Sequence, residues 1–244
     1  MPAGRRWRAP IAAAAVLGGG IAVGVAGTVL TSQTATAPTT SSTTVPSTTT
    51  TVPATTTTAP ADRPIGPVAH APLATVGDLT LLHPAGRVER VGFHESTLDG
   101  ALELTPLPTA VQATTLNTRA RGHGPHTAVD VVSDPTGAVR APVTGTVIAA
   151  GGYQLYCAHH DDTVVIVPDG HPTWYVRVLH IDGVRVVPGW RVEAGVTVIA
   201  ARPRALTFRS QIDRLAANQP AWPHVHVEVD DNAVPDTPSK GDSC

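Results

Sequence analysis

Short valine-rich runs separated by glycine, proline and aspartate fill the chain after residue 62, and they predict β-strands nearly throughout. Apolar and polar residues alternate in some of these runs, and other runs are continuously apolar. Both patterns are typical of strands that pack on a core. We expect strands at residues 79–82, 88–92, 143–149, 164–167, 174–181, 196–200 and 225–229.

One segment has the spacing of a helix. Phe208, Ile212 and Leu215 fall on one face of a helix over about residues 208–217. We therefore predict a mainly β fold, an antiparallel β-sandwich similar to a barrel-sandwich, with one short helical insertion.

The first 34 residues have the pattern of an export segment. Arg5, Arg6 and Arg8 precede an uncharged run over residues 11–30, which predicts a cytoplasmic basic end followed by a signal or anchor segment in the membrane. Pro38 follows the possible cleavage site Ala35-Thr36-Ala37, so we favour an uncleaved anchor. Either outcome places the rest of the chain outside the cytoplasm, anchored to the membrane or secreted to the cell wall.

Residues 35–61 are rich in threonine and proline. They bury too little apolar surface to offset their ordering entropy, and we predict a disordered linker. The remaining chain is long enough for one core. We divide it into an extension of unknown role at 62–121, a domain at 122–230 that carries the chemistry, and a tail at 231–244.

Composition excludes one class of partner and leaves the cysteines open. A net charge of −2 and an aromatic content of 4% argue against nucleic-acid binding, which needs a basic surface with stacking aromatics. Cys157 and Cys244 do not form a C-x-x-C pair, which argues against a thiolate zinc site. In an exported protein they either form a disulfide or remain two unrelated thiols.

Three histidine motifs carry the candidate chemistry. In the run 223–229, PHVHVEV, alternation places His224, His226 and Glu228 on one face of a strand and three valines on the other. His126 and Asp130 form an H-x-x-x-D motif of ordinary zinc-ligand types. His180 ends the aromatic run 174–180. Each motif alone also fits a polar face, a chance pair or a core histidine.

In their order these motifs resemble the lysostaphin/LytM-type metallopeptidases of the M23 family, which have a first H-x-x-x-D, a lone histidine after an aromatic strand and a late H-x-H. The resemblance covers about residues 124–229 and includes APVTGTV at 141–147 and VPGWRVEAG at 187–195. Two features depart from the family pattern. Ala128 stands where the family usually has glycine, and residues 202–222 are longer than the usual connection into H-x-H.

The resemblance implies that His126, Asp130 and His226 are the ligands of a Zn²⁺ ion, with His180 and His224 beside a zinc-activated water. His224 would accept the proton, and His180 would orient the water or stabilise the oxyanion. Glu228 would either brace a ligand histidine or serve a surface role. The implied function is an exported zinc metalloendopeptidase that hydrolyses peptide bonds in peptidoglycan. The alternative is a non-catalytic wall protein of the same fold that binds peptidoglycan or regulates other hydrolases.

Other interpretations have less chemistry behind them. Biotinyl and lipoyl carrier domains share a similar β pattern but need a lysine on an exposed hairpin, and the only lysine is Lys240, beyond the β region. His159 and His160, beside Asp161 and Asp162, are expected in a solvated loop. His94 has no assigned role. We expect the insertion at 202–222 to control access to the cleft, with Arg209, Gln211 and Arg214 available to meet substrate carboxylates.

Overall fold

The computed structural model describes residues 66–67, 70–216 and 220–237. The predicted signal or anchor segment, the linker and Cys244 lie outside these residues. Within the described ranges, no helix has the length and apolar character that a membrane crossing requires.

Fourteen strands and one short 3-10 helix make up the described chain. They are β1 (Gly66–Pro67), β2 (Pro72–Val76), β3 (Leu79–Leu82), β4 (Arg87–His94), β5 (Thr105–Pro106), β6 (Gln112–Thr115), β7 (Ala128–Ser133), β8 (Val139–Arg140), β9 (Gly145–Leu155), β10 (His159–Pro168), β11 (Trp174–Val184), β12 (Arg191–Val192), β13 (Val198–Pro203), the 3-10 helix (Asp213–Leu215) and β14 (His224–Asp231).

The strands form two sheets around a common core. The large sheet runs β1-β4-β7-β14-β11-β10-β9-β12, with β6 beside β4, β13 beside β11 and β8 beside β13. Its pairs are antiparallel except β4 with β6, which is parallel. The small sheet has the order β3-β2-β5, and its Leu73, Val76 and Leu81 pack in the same apolar cluster as the valines of the large sheet. The predicted mainly β sandwich is confirmed.

The alternation of side chains along β14 decides which residues of this strand point away from the core. Val225, Val227 and Val229 are fully buried in the core, and each contributes roughly 1.5–3 kcal/mol. A slip of one residue would turn these valines outward. The same constraint therefore holds His224, His226 and Glu228 on the opposite face of the strand, as the sequence predicted.

Residues predicted as an N-terminal extension belong to the same fold. β4 pairs with β7 from Val88 opposite Ser133 to His94 opposite Ala128. Val88, Val91 and Phe93 are buried in the main core. The segment before residue 122 therefore supplies a strand of the large sheet, next to the strand that carries Asp130.

The predicted helix over 208–217 is much shorter than expected. Among its described residues only Asp213–Leu215 are helical, as one 3-10 turn, and Ala216 is already extended. The Ser210 amide donates to the Asp213 carboxylate, and the Asp213 amide donates to the Ser210 hydroxyl. Such local side-chain bonds compete with a regular helix. Ile212 is fully buried while Leu215 is 42% exposed, so the segment does not pack on the core through one continuous helical face.

Candidate metal centre

Three adjacent strands of the large sheet bring two histidines and a carboxylate together. Asp130 on β7 lies opposite His226 on β14 and opposite Gly92 on β4. His94, two residues beyond Gly92, therefore has its side chain on the same face. One ligand atom from each of His94, Asp130 and His226 lies within 4.8 Å of the others, which makes this a group that can hold a metal ion.

The carboxylate of Asp130 is the centre of this group. Its Oδ1 lies 2.9 Å from His226 Nδ1, 3.1 Å from His94 Nε2 and 3.9 Å from His224 Nε2. His94 Nε2 is buried and forms no hydrogen bond of acceptable geometry. A buried ring nitrogen of this kind needs a partner, and a shared cation beside Asp130 would satisfy it.

The electrostatics of the group favour a positive charge at this position. Burial by itself would lower the pKa of His226, but its contacts with Asp130 and Glu228 raise that pKa to about 10. Burial would raise the pKa of Asp130, yet the neighbouring histidines hold it well below its ordinary value. Two nearly buried carboxylates around one imidazole thus create a strong demand for a cation, and the donor set fits a metal ion.

His180 sits where β11 changes partners. Leu179 is paired with His226 on β14, whereas Ile181 is paired with Pro203 on β13. His180 itself has a left-handed backbone, with φ of 60°, a strained conformation for a residue with a side chain. Asp161 holds it there by accepting from both its amide and its Nδ1, at 3.2 and 2.6 Å.

The two H-x-H histidines and His180 form one aromatic cluster. The His180 ring centroid lies 5.0 Å from that of His224, in an edge-on arrangement, and 5.6 Å from that of His226. Burial lowers the pKa of His180 and outweighs the opposing contact with Asp161, while His224 and His226 lower it further. Because Nδ1 donates to Asp161, Nε2 of a neutral imidazole at this point can accept a hydrogen bond.

Carboxylates stand behind the other two histidines as well. Glu228 Oε2 lies 3.4 Å from His226 Nε2 and accepts a hydrogen bond from the Ser96 hydroxyl at 2.7 Å. Burial opposes ionisation of Glu228, but His226 and Ser96 lower its pKa to about 2. Of the two roles left open for Glu228, its position behind a ligand histidine fits the bracing role. Asp213 Oδ1 lies 3.4 Å from His224 Nδ1.

The structure does not bring His126 into the metal group. Its ring lies 5.3 Å from that of Phe93, and its Nε2 is hydrogen-bonded to the Thr115 hydroxyl. Phe93 alternates with His94 along β4, so its side chain lies on the opposite face of the sheet. Thr115, the β6 residue paired with Phe93, lies on that face as well. The residue that joins Asp130 and His226 is His94.

Sequence reasoning missed His94 because its position depends on strand pairing. A signal was present, since alternation from Val91 through Phe93 places His94 on the face opposite these two residues, which are buried. Nothing in the spacing reveals that β4 lies beside β7. Four of the five predicted residues, namely Asp130, His180, His224 and His226, do line one cleft.

That cleft has a volume of about 820 Å³. The cleft is lined by Asp130 and the histidines, which we call its floor, and by residues of two loops. We call the loop at 117–121 the first wall and the loop at 206–214 the second wall. Gln211 joins the walls, because its amide donates to the Asn117 carbonyl and its Oε1 accepts from Arg119. Arg209 and Arg214 are exposed residues of the second wall.

Tyr156, which precedes Cys157 in the chain, also lines the cleft. Cys157 is disulfide-bonded, and the other cysteine of the chain, Cys244, lies outside the described residues. The Tyr156 ring is 5.8 Å from that of Phe208, a residue of the second wall.

No protein-family model matches the chain, and no curated protein is significantly similar to it.

Proposed function

We propose that this chain is an exported, zinc-dependent endopeptidase that acts on the peptides of peptidoglycan. The observation that carries the proposal is the placement of His94, Asp130 and His226 on three adjacent strands, with His180 and His224 on the floor of the same cleft. His94, Asp130 and His226 would hold the metal. The resemblance of the H-x-x-x-D, lone-histidine and H-x-H motifs to wall metallopeptidases supports the choice of reaction and substrate.

The donor set favours zinc over the hard divalent cations. Two imidazoles and one carboxylate are ordinary zinc ligands, whereas magnesium and calcium prefer sites made only of oxygen. A zinc ion with three protein ligands keeps an open position, polarises a carbonyl and lowers the pKa of a water to near neutrality.

His224 would accept the proton from the attacking water. Its Nε2 points towards Asp130 Oδ1, 3.9 Å away, which puts this nitrogen at the edge of the metal group. His224 is only 2% exposed, so its ring is largely shielded from bulk solvent. Positioned proton transfer of this kind contributes on the order of 10²–10⁴-fold to a rate.

His180 would orient the attacking water. Its Nδ1 donates to Asp161 at 2.6 Å, so in the neutral ring Nε2 keeps a lone pair. The Tyr153 hydroxyl also donates to Asp161, at 2.7 Å. With its backbone and ring both fixed, His180 would offer a preorganised hydrogen-bond acceptor to that water, and such contacts cost no rearrangement during the reaction.

The location follows from the N-terminal pattern and the substrate from the resemblance. A basic end followed by an apolar run and a threonine-rich tether would place the cleft outside the cytoplasm, anchored to the membrane or secreted. An open cleft of this size admits a short peptide in extended form. Cross-linked stem or bridge peptides of the wall are the substrates that this location offers.

Metal content and product analysis test the proposal together. The purified chain should carry about one zinc per molecule by mass spectrometry of the metal, and it should release peptide fragments with new amino termini from purified peptidoglycan. His224→Ala should keep the zinc and lose most of the activity. A chain that neither carries zinc nor gains it on titration is not this enzyme, and zinc-loaded chain that binds wall without cleaving it would indicate the non-catalytic alternative.

A further inference from the structure

The insertion before β14 places the carboxylate of Asp213 next to His224. Asp213 Oδ1 lies 3.4 Å from Nδ1 of His224, on the side of the ring away from the nitrogen that approaches Asp130. His224 is buried, and the side chain of Asp213 is only 13% exposed. His180 and His226 also have carboxylates beside them, Asp161 and Glu228, and these come from strands of the sheet.

The segment that carries Asp213 is fixed to the sheet beside the metal group. Ile212 is fully buried in a small apolar cluster with Leu116 and Val132. A side chain on Gly92, which lies opposite Asp130, would collide with Ile212. The missing side chain at Gly92 therefore leaves the space that lets Ile212 dock, and its neighbour Asp213 is brought up to His224.

Hydrogen bonds hold the Asp213 carboxylate at this position. Its Oδ2 accepts from the Ser210 amide at 2.8 Å, which leaves Oδ1 directed at His224. Two residues before Asp213, Gln211 links the segment to the opposite wall of the cleft through Asn117 and Arg119. The bond from Ser210 therefore fixes the carboxylate within its own loop. The burial of Ile212 and the bonds of Gln211 fix that loop to the sheet and to the opposite wall.

We infer that Asp213 is the positioning residue for His224, which makes the insertion part of the reaction machinery as well as a wall of the cleft. The inference rests on the proposed function for its catalytic consequence. A carboxylate facing Nδ1 keeps the proton of a neutral imidazole on that nitrogen, and Nε2 then presents a lone pair at the edge of the metal group. A proton acceptor needs that lone pair, and the opposite tautomer lacks it.

The decisive variant is Asp213→Asn, which keeps the size of the side chain and exchanges an acceptor for a donor. An asparagine that still accepts from the Ser210 amide turns its NH₂ towards His224 Nδ1, and the ring proton then moves to Nε2. The same exchange in the Ser-His-Asp triad produces an inactive tautomer. We expect a fall in kcat of at least about 10²-fold, with zinc content unchanged and KM altered far less than kcat.

Nitrogen chemical shifts read the tautomer without any activity assay. Long-range proton–nitrogen spectra of the full chain, with zinc added, should show His224 protonated on Nδ1 in the wild type and on Nε2 in Asp213→Asn. In Asp213→Ala they should show a mixture of the two neutral tautomers. His224→Gln identifies the signals. Leu215→Ala is the matched control, because Leu215 belongs to the same 3-10 turn and is exposed; it should keep the wild-type tautomer.

Ser210→Ala separates positioning from local folding. It removes the hydroxyl that accepts from the Asp213 amide but keeps the carboxylate, so the tautomer should stay on Nδ1. If Ser210→Ala shifts the tautomer as far as Asp213→Asn does, the segment acts only through its fold and the inference fails. It fails equally if the wild type carries the proton on Nε2, or if Asp213→Asn leaves both tautomer and kcat unchanged.

These results are distinguishable from failure of the proposed function. A chain that hydrolyses wall but ignores the loss of Asp213 refutes the positioning role and leaves the peptidase intact. A chain without zinc or hydrolysis, whose His224 tautomer still follows residue 213, refutes the peptidase and leaves the pairing intact, because the spectra can be recorded on the metal-free chain.

Discussion

His94 lies opposite Ala128 where β4 pairs with β7, and this pairing places its ring on the face that carries Asp130. The methyl side chain of Ala128 leaves that face open, and His94 Nε2 reaches within 3.1 Å of Asp130 Oδ1. His126, four residues before Asp130, has its ring on the other face against Phe93. The two histidines therefore lie in different surroundings, His94 in the candidate metal group and His126 against Phe93 and Thr115.

Replacing each histidine in turn tests which of the two holds the metal. We expect His94→Ala to lower zinc content sharply, because loss of one of three protein ligands leaves a poor chelate. His126→Ala should retain zinc, since it removes contacts with Thr115, Phe93 and Glu103, none of which belongs to the metal group. The measurement is zinc per folded chain after dialysis against a weak chelator. Retention by His94→Ala together with loss by His126→Ala would restore the assignment made from the H-x-x-x-D motif.

Glu228 should tune the metal site without binding the metal. Glu228→Gln removes the charge that faces His226 Nε2 at 3.4 Å, so the ligand imidazole becomes less basic. Loss of such a supporting carboxylate typically lowers metal affinity by about 10–100-fold. Competition titration with a chromophoric chelator measures the change.

Ser96→Ala is the control for that substitution, because Ser96 donates to the same Glu228 oxygen and carries no charge. It should weaken zinc binding less than Glu228→Gln does. Equal affinities for wild type and Glu228→Gln would assign Glu228 a purely structural role.

Local pattern predicted the two faces of β14 but not which strands lie next to each other. Alternation was sufficient to place His224, His226 and Glu228 together, because burial of three valines fixes the register of β14. The contact between Asp130 and His94 depends on which strands pair, and that is decided by the packing of the whole sheet. A motif of fixed spacing such as His126 to Asp130 cannot report a partner that comes from another strand.

The insertion shows a second limit of local pattern. Phe208, Ile212 and Leu215 have helical spacing, yet the bonds between Ser210 and Asp213 replace a helix with one 3-10 turn. Only Ile212 of the three is fully buried. The space that receives it exists because Gly92, far away in the sequence, has no side chain. A helical wheel has no access to that information.

The arginines of the cleft wall should act on substrate binding. Arg209 and Arg214 are exposed and line the cleft, and guanidinium groups pair well with the carboxylates of wall peptides. Replacing both with glutamine should raise KM several-fold for peptides with free carboxylates, with kcat and zinc content nearly unchanged. Exposed pairs contribute about 0–1 kcal/mol each, so a larger effect is not expected.

Amidated substrate peptides provide the control for this pair. If the arginines recognise carboxylates, wild type and the double variant should differ little on peptides whose carboxylates are amidated. Identical kinetics of the two proteins on both kinds of peptide would remove Arg209 and Arg214 from substrate recognition.

A buried histidine far from the metal group should make folding stability depend on pH. His83 is fully buried, and burial, followed by the nearby His70, lowers its pKa from 6.5 to about 4. Below pH 6.5 the unfolded chain takes up a proton at this side chain while the folded chain does not. The free energy of unfolding therefore falls as the pH drops from about 6.5 to about 4, by up to about 3 kcal/mol from this group.

Urea unfolding at several pH values between 7.5 and 4 measures this contribution. His83→Gln is expected to be less stable than wild type at pH 7.5, and the gap should narrow as the pH falls, because glutamine takes up no proton. Thr109→Val is the matched control: it removes the hydroxyl 3.2 Å from His83 Nε2 but keeps the imidazole, so its stability should fall with pH about as steeply as that of wild type. A constant gap between wild type and His83→Gln across this range would show that His83 takes up its proton equally in the folded and unfolded chain.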